Sequence, residues 1–264
     1  MHTRGRSCVG LVAALVCAAS LRAAASAAVS MTVQPLVAEF NAAPGAFGRT
    51  TVTVTNNGTE AERFTARPTD WRTLADGSTT LERPGAEGVH SITRDLSLSA
   101  YQFVLQPGER REIALSLAVP SSFPGTPASY WGGFLVSAAV VTAPPSAVGI
   151  AATVFVYQNV GAPRRHLALQ SLRVVQNKDG TSDLVARLRN DSPGYCRSSA
   201  HVLVEQAGRI VKDDKVTIST VFPGSTRLMT QPLGKLPPGD YRIEVAFDYG
   251  GDSILDGTTQ AHVR

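Results

Sequence analysis

Hydrophobic and polar residues alternate one by one in short stretches along almost the whole chain, and beyond residue 28 no stretch sustains a helical period. In TTVTVTNNG (50–58) Val52 and Val54 face one way and the threonines the other, before the turn pair Asn57-Gly58. In FVLQPGERREIALSLAVP (103–120) two alternating runs flank Pro107-Gly108, with Ile113, Leu115, Leu117 and Val119 as the inner set of the second. These are strands with one wet face. The same habit returns at 184–190, 201–206, 215–220 and 241–247, while 134–141 and 148–157 are apolar on both faces, as central or covered strands are. Short strands at this spacing, bounded by Gly, Pro, Asn and Asp, predict an all-β protein of immunoglobulin-like sandwiches.

An approximate internal repeat divides the chain. LQPGERREIALSL (105–117) is followed by FPGTPASYWGGFLV (123–136), and VFPGSTRLMTQPL (221–233) by LPPGDYRIEVAF (236–247). Each half carries a strand, a Pro-Gly pair, an Arg-containing strand, a second Pro-Gly and a Tyr opening a further strand. Pro presets one turn torsion and Gly supplies the other, so each pair is expected to reverse the chain between paired antiparallel strands. QNVGAPRRHLAL (158–169) reads as the linker. The expected division is a leader at 1–28, a first sandwich at 29–162 and a second at 163–264.

The leader changes the charge and the chemistry. Arg4 and Arg6 precede an apolar run from Cys8 to Leu21, and small residues Ala25-Ser26-Ala27 follow, the layout of a cleavable secretory signal. The apolar run is shorter than the ~20 residues a spanning helix needs, so no stable membrane anchor is expected. The expected location is the periplasm or the exterior. The chain holds 25 Lys and Arg against 21 Asp and Glu; without Arg4, Arg6 and Arg22 the balance is 22 against 21. No run of Lys or Arg exceeds two, so nucleic acid is not an expected partner. Cys8 and Cys17 leave with the leader, and Cys196 alone cannot form an internal disulfide. The fold must rest on its cores.

Motifs for catalysis or cofactors are missing from the sequence. There is no phosphate-cradling glycine loop, no Gly-x-Ser-x-Gly and no His-Glu-x-x-His; His90, His166, His201 and His262 are far apart. No enzyme activity, cofactor or metal is expected. NKDGTSD (177–183) has oxygen ligands at calcium-like spacing, but the glycine comes early and no closing Glu follows, so a hairpin on Asp179-Gly180 is expected. Trp71 and the pair Tyr130-Trp131 are either core residues or, for the pair, a contact patch.

With VSMTVQPLVAEF, RTTVTVTNNGTEAERFTARPTDW, FVLQPGERREIALSLAVP, ASYWGGFLVSAAVVTAPP and GIAATVFVYQNVGAP in this order, the first half resembles the N-terminal immunoglobulin-like domain of periplasmic pilus-assembly chaperones, the PapD-like group. The second half resembles a generic immunoglobulin-like or fibronectin-like sandwich. The resemblance implies a non-enzymatic assembly chaperone whose partner is a secreted or surface protein subunit, served by lending a strand to an incomplete sheet. The matching strand is VGIAATVFVY, with Val148, Ile150, Ala152 and Val154 on one face. Those four either enter the partner's groove or face their own core. The family's basic pair for a client carboxylate has no counterpart in PLVAEF and TVFVYQ. The rival reading is a surface adhesion or ligand-binding module that recognises through loops, favoured if Trp71 or Trp131 is exposed.

Overall fold

The computed structural model describes residues 29–122, 127–144 and 146–264; the leader and the Pro-Gly pair at 124–125 lie outside the described residues. The first half holds strands β1 (Met31–Gln34), β2 (Val37–Phe40), β3 (Phe47–Asn56), β4 (Glu62–Thr73), β5 (Thr79–Glu82), β6 (Leu96–Leu98), β7 (Gln102–Leu105), β8 (Arg110–Ala118), β9 (Ala128–Val140) and β10 (Ile150–Val160). One sheet runs β1-β3-β8-β6; the other runs β2-β10-β9-β4-β5, with β7 also on β4. Val52, Val54, Ile113, Leu115 and Leu117 from the first sheet meet Phe64, Phe134, Val136, Val154 and Val156 from the second in one core. The period of two places these residues inward and the threonines of β3 outward.

The second half holds β11 (Leu167–Gln176), β12 (Ser182–Asn190), β13 (Cys196–Gln206), β14 (Arg209–Val221), β15 (Thr226–Gly234), β16 (Gly239–Asp248) and β17 (Leu255–Val263). They form the sheets β11-β12-β15 and β14-β13-β16-β17 around a separate core built on Leu184, Leu188, Val202, Val204, Ile243 and Phe247. The chain is therefore two immunoglobulin-like β-sandwiches in tandem. Between β11 and β12, Asp179 Oδ1 accepts the N–H and hydroxyl of Thr181 and Gly180 sits at φ 80°, so the calcium-like stretch closes a hairpin.

The Pro-Gly pairs do something other than the expected reversal within a sheet. β7 pairs with β4 and β8 with β3, so Pro107-Gly108 carries the chain from one sheet to the facing one. Pro223-Gly224 likewise links β14 to β15, and Pro238-Gly239 links β15 to β16, across their sandwich. The apolar faces of the flanking strands then meet across the sandwich, one from each sheet, in a common core.

A buried asparagine organises this corner in each half. Asn56 donates through Nδ2 to the carbonyls of Glu60 (2.8 Å) and Leu105 (2.9 Å), and its Oδ1 accepts from Gly58 N–H. Asn190 donates to Gly194 and Val221 (2.8 Å each), and its Oδ1 accepts from Ser192 N–H. The glycine N–H of each Pro-Gly pair, Gly108 or Gly224, donates to the backbone carbonyl of the same asparagine. The sequence repeat is thus a repeated corner.

Candidate functional site

The chain changes sheets near its start: β1 pairs with β3 in one sheet, and after Pro35 β2 runs parallel to β10 in the other. The register of β2 covers only Phe155 to Gln158, whereas β9 pairs with β10 over its whole length from Ile150 to Val160. Residues 150–154 are consequently a sheet edge with no second strand among the described residues. Phe155 donates its N–H outward to Leu36 O at 2.8 Å. By the two-residue alternation of an antiparallel ladder, Ala151 and Thr153 direct N–H and C=O the same way, toward the open side.

The side chains on this strand leave the core by degrees. Val154 is fully buried, Ile150 and Ala152 are half-buried against the first core, and Val148 is 64% exposed beyond the end of the strand. Ile150, Ala152 and Val154 lie on one face because β10 alternates, and Val148 precedes the strand. Opposite them on β9 stand Ala138, Val136 and Phe134, all buried. The edge thus joins unpaired backbone groups to an apolar row continuous with the core.

Tyr130 and Trp131 lie elsewhere, and of the two alternatives the burial favours the interior over a contact patch: they are 4% and 2% exposed. Trp131 packs in a joint between the two sandwiches rather than between the sheets of one. Trp71 from β4, Trp131 from β9 and Tyr157 from β10 meet Tyr195 and Phe222 of the second half. The Phe222 ring lies 4.4 Å from Trp131, tilted, and 4.9 Å from Trp71, edge-on, and the two indoles donate crosswise to the carbonyls of Gly132 and Trp71. With both tryptophans inside, the exposure that would have favoured the adhesion reading is not found.

Polar contacts tie the same joint. The Arg197 guanidinium lies over Tyr157 and Tyr195, at 4.7 and 5.2 Å, and pairs with Glu39 of β2. Burial pushes the Tyr157 hydroxyl up to about 12, against a hydrogen bond with Thr220 that lowers it. The tip of the β4–β5 hairpin reaches across: Arg227 of β15, 3% exposed, donates to Leu74 O, and Leu228 N–H donates to Ala75 O at 2.7 Å. Beside the joint is an open cleft of about 750 Å³ lined by Val37, Tyr157, Arg197, Thr217 and Asp248 among others. Among the described residues no three His, Cys, Asp or Glu side chains gather to hold a metal, and no helix is long and apolar enough to cross a membrane.

The joint was not visible in the sequence, because its aromatics come from five separated segments. Sequence reasoning singled out Trp71 and Trp131 only as large aromatics, and nothing local links them to Phe222.

No family model and no curated protein matches the chain. Among solved structures, it is similar to the chain of a chaperone–tip adhesin complex of CFA/I fimbriae biogenesis, at 10% identity over 88% of this chain and 99% of that one, TM-score 0.46. It is similar to the Acinetobacter baumannii CsuC–CsuE chaperone–tip adhesion subunit pre-assembly complex, at 14% identity over 87% and 98%, TM-score 0.45. It is also similar to the Salmonella enterica SafA pilin–SafB chaperone complex, at 16% identity over 90% and 98%, TM-score 0.44. At these identities and TM-scores nothing is carried over from those proteins to residues of this chain.

Proposed function

We propose that this protein is a non-enzymatic assembly chaperone acting outside the cytoplasm, with residues 29–162 as the working sandwich and 163–264 as a second one docked to it. Its partner is a secreted or surface protein subunit that lacks a strand. The open edge at 150–154 pairs with the subunit's own unpaired strand, while Val148 and Ile150, and Ala152 beneath them, enter its apolar groove. The observation that carries this is the coincidence, on one strand, of outward-directed backbone groups at Ala151 and Thr153 with an apolar row that runs out of the core.

A polar charge inside a partner's groove is costly, whereas the same charge at exposed Val148 costs the free protein little. Val148→Asp should therefore keep the melting temperature within about 2 °C and weaken capture of an exported subunit at least tenfold. In the wild type, binding should slow hydrogen exchange at the Ala151 and Thr153 amides. If Val148→Asp captures the same subunit as well as the wild type, or those amides exchange unchanged in the complex, strand lending is not the mechanism.

A further inference from the structure

Two carboxylates of the first sandwich are completely buried, and they are treated differently. Asp70 has both oxygens engaged, accepting from Glu87 N–H at 3.0 Å and from the Ser91 hydroxyl at 2.8 Å. Glu62, the first residue of β4, faces Leu105 of β7 and Val140 of β9 at the end of both registers, and its side chain accepts only from Ser30 N–H through Oε1 at 3.0 Å. Its Oε2 is buried with no partner, and no cation among the described residues pairs with it. A buried carboxylate half-satisfied in this way is an expensive feature unless another group completes it.

The Ser30 bond shows where that group is to be found. Residue 29 precedes Ser30, and backbone nitrogens one residue apart lie within about 4 Å. Val29 is also held from the other side: a Cβ built on Gly149 would lie 2.9 Å from Val29 Cγ2, so the valine packs against the root of the β9–β10 hairpin. Immediately before it stands the leader pattern, with small residues Ser26, Ala27 and Ala28 at its end.

We propose that Glu62 is the receptor for the chain's own new amino terminus, made when a leader peptidase hydrolyses the Ala28–Val29 bond. Water adds across that peptide bond, leaving a carboxylate on Ala28 and an ammonium group on Val29. Before cleavage the Val29 nitrogen is a neutral amide with one N–H. After cleavage it is a cation with three, and one of them satisfies Glu62 Oε2. Removal of the leader then completes the first sandwich beside the open edge at 150–154, and an uncut chain keeps an unpaired buried charge there. This rests on the leader and is independent of strand lending.

The test compares the full chain from Val29, released with a free amine, with its Nα-acetylated form, in the wild-type and Glu62→Gln backgrounds. Acetylation should lower the melting temperature by about 4 °C or more in the wild type and by less than about 1 °C in Glu62→Gln. Equal shifts in both, or none in the wild type, overturn the proposal. Should Glu62→Gln fail to fold, the wild type alone decides: its amine should react with an acylating reagent at least tenfold more slowly folded than in denaturant, and equal rates overturn it. The exported product of the full-length chain should begin at Val29 by mass, and any other start overturns it as well.

Discussion

At the scale of single residues, burial decides what the polar groups of this chain do. Cys196 is completely buried in the second core, which pushes its thiol up to about 11, against a hydrogen bond with Ser192 that lowers it. The thiolate is the reactive form, so at neutral pH the folded protein should react with a disulfide reagent far more slowly than the unfolded chain. The same shift has a consequence for stability. Between the ordinary thiol range near 9 and about 11, the unfolded chain has lost the proton that the folded one keeps. The contribution is fully present below pH 9 and is lost as pH rises toward 11. Tyr157, raised to about 12, extends the loss upward from pH 10. Thermal scans should show a melting temperature steady up to about pH 9 and falling beyond it. Cys196→Ala should make the fall between pH 9 and 10 shallower. An unchanged fall in that variant would show that the thiol takes no part.

At the scale of elements, β10 owes its position to a missing side chain across from it. A Cβ at Gly133 would lie 2.2 Å from the carbonyl oxygen of Val154, so β9 admits β10 at this point only through glycine. Gly133→Ala should push the two strands apart and cost about 2–4 kcal/mol in denaturant unfolding. A variant as stable as the wild type would mean that the ladder shifts without loss. Alternation made each of these strands recognisable, but which strand pairs with which depends on contacts outside it. The Pro-Gly pairs show this: the turn is legible in two residues, whereas the choice between pairing neighbours and crossing to the facing sheet depends on the core. Asn56 and Asn190 are similar, since each looks like a turn residue until Leu105 or Val221 arrives to accept its amide.

At the scale of the whole molecule, the two sandwiches are joined by packing as well as by the linker. Five aromatics from both halves interlock, Arg197 pairs with Glu39, and the β4–β5 tip rests on β15 through Arg227 and Leu228. Arg227 is nearly buried, and its contacts are to Leu74 O, Ser219 Oγ and Thr220 O; burial lowers its pKa, against the nearby Asp76 carboxylate, which favours the charge. Removing it leaves those acceptors unmet and frees the tip. In Arg227→Ala the single cooperative unfolding expected of a docked pair should separate toward two transitions by calorimetry. Small-angle scattering should show a larger radius of gyration. One sharp transition at unchanged dimensions would place the strength of the joint in the aromatics alone.

A period of two and turn residues are local signals set by backbone geometry, so the all-β class, the two sandwiches and the course of most strands are legible along the chain. The same signals single out the strand beginning near residue 148. Contacts made across the fold set the rest: Val154 belongs to the core while Val148 lies outside it, β2 stops short of residues 150–154, and Trp131 faces the second sandwich. Burial, strand partners and interdomain contacts arise between residues tens of positions apart, where no local pattern records them.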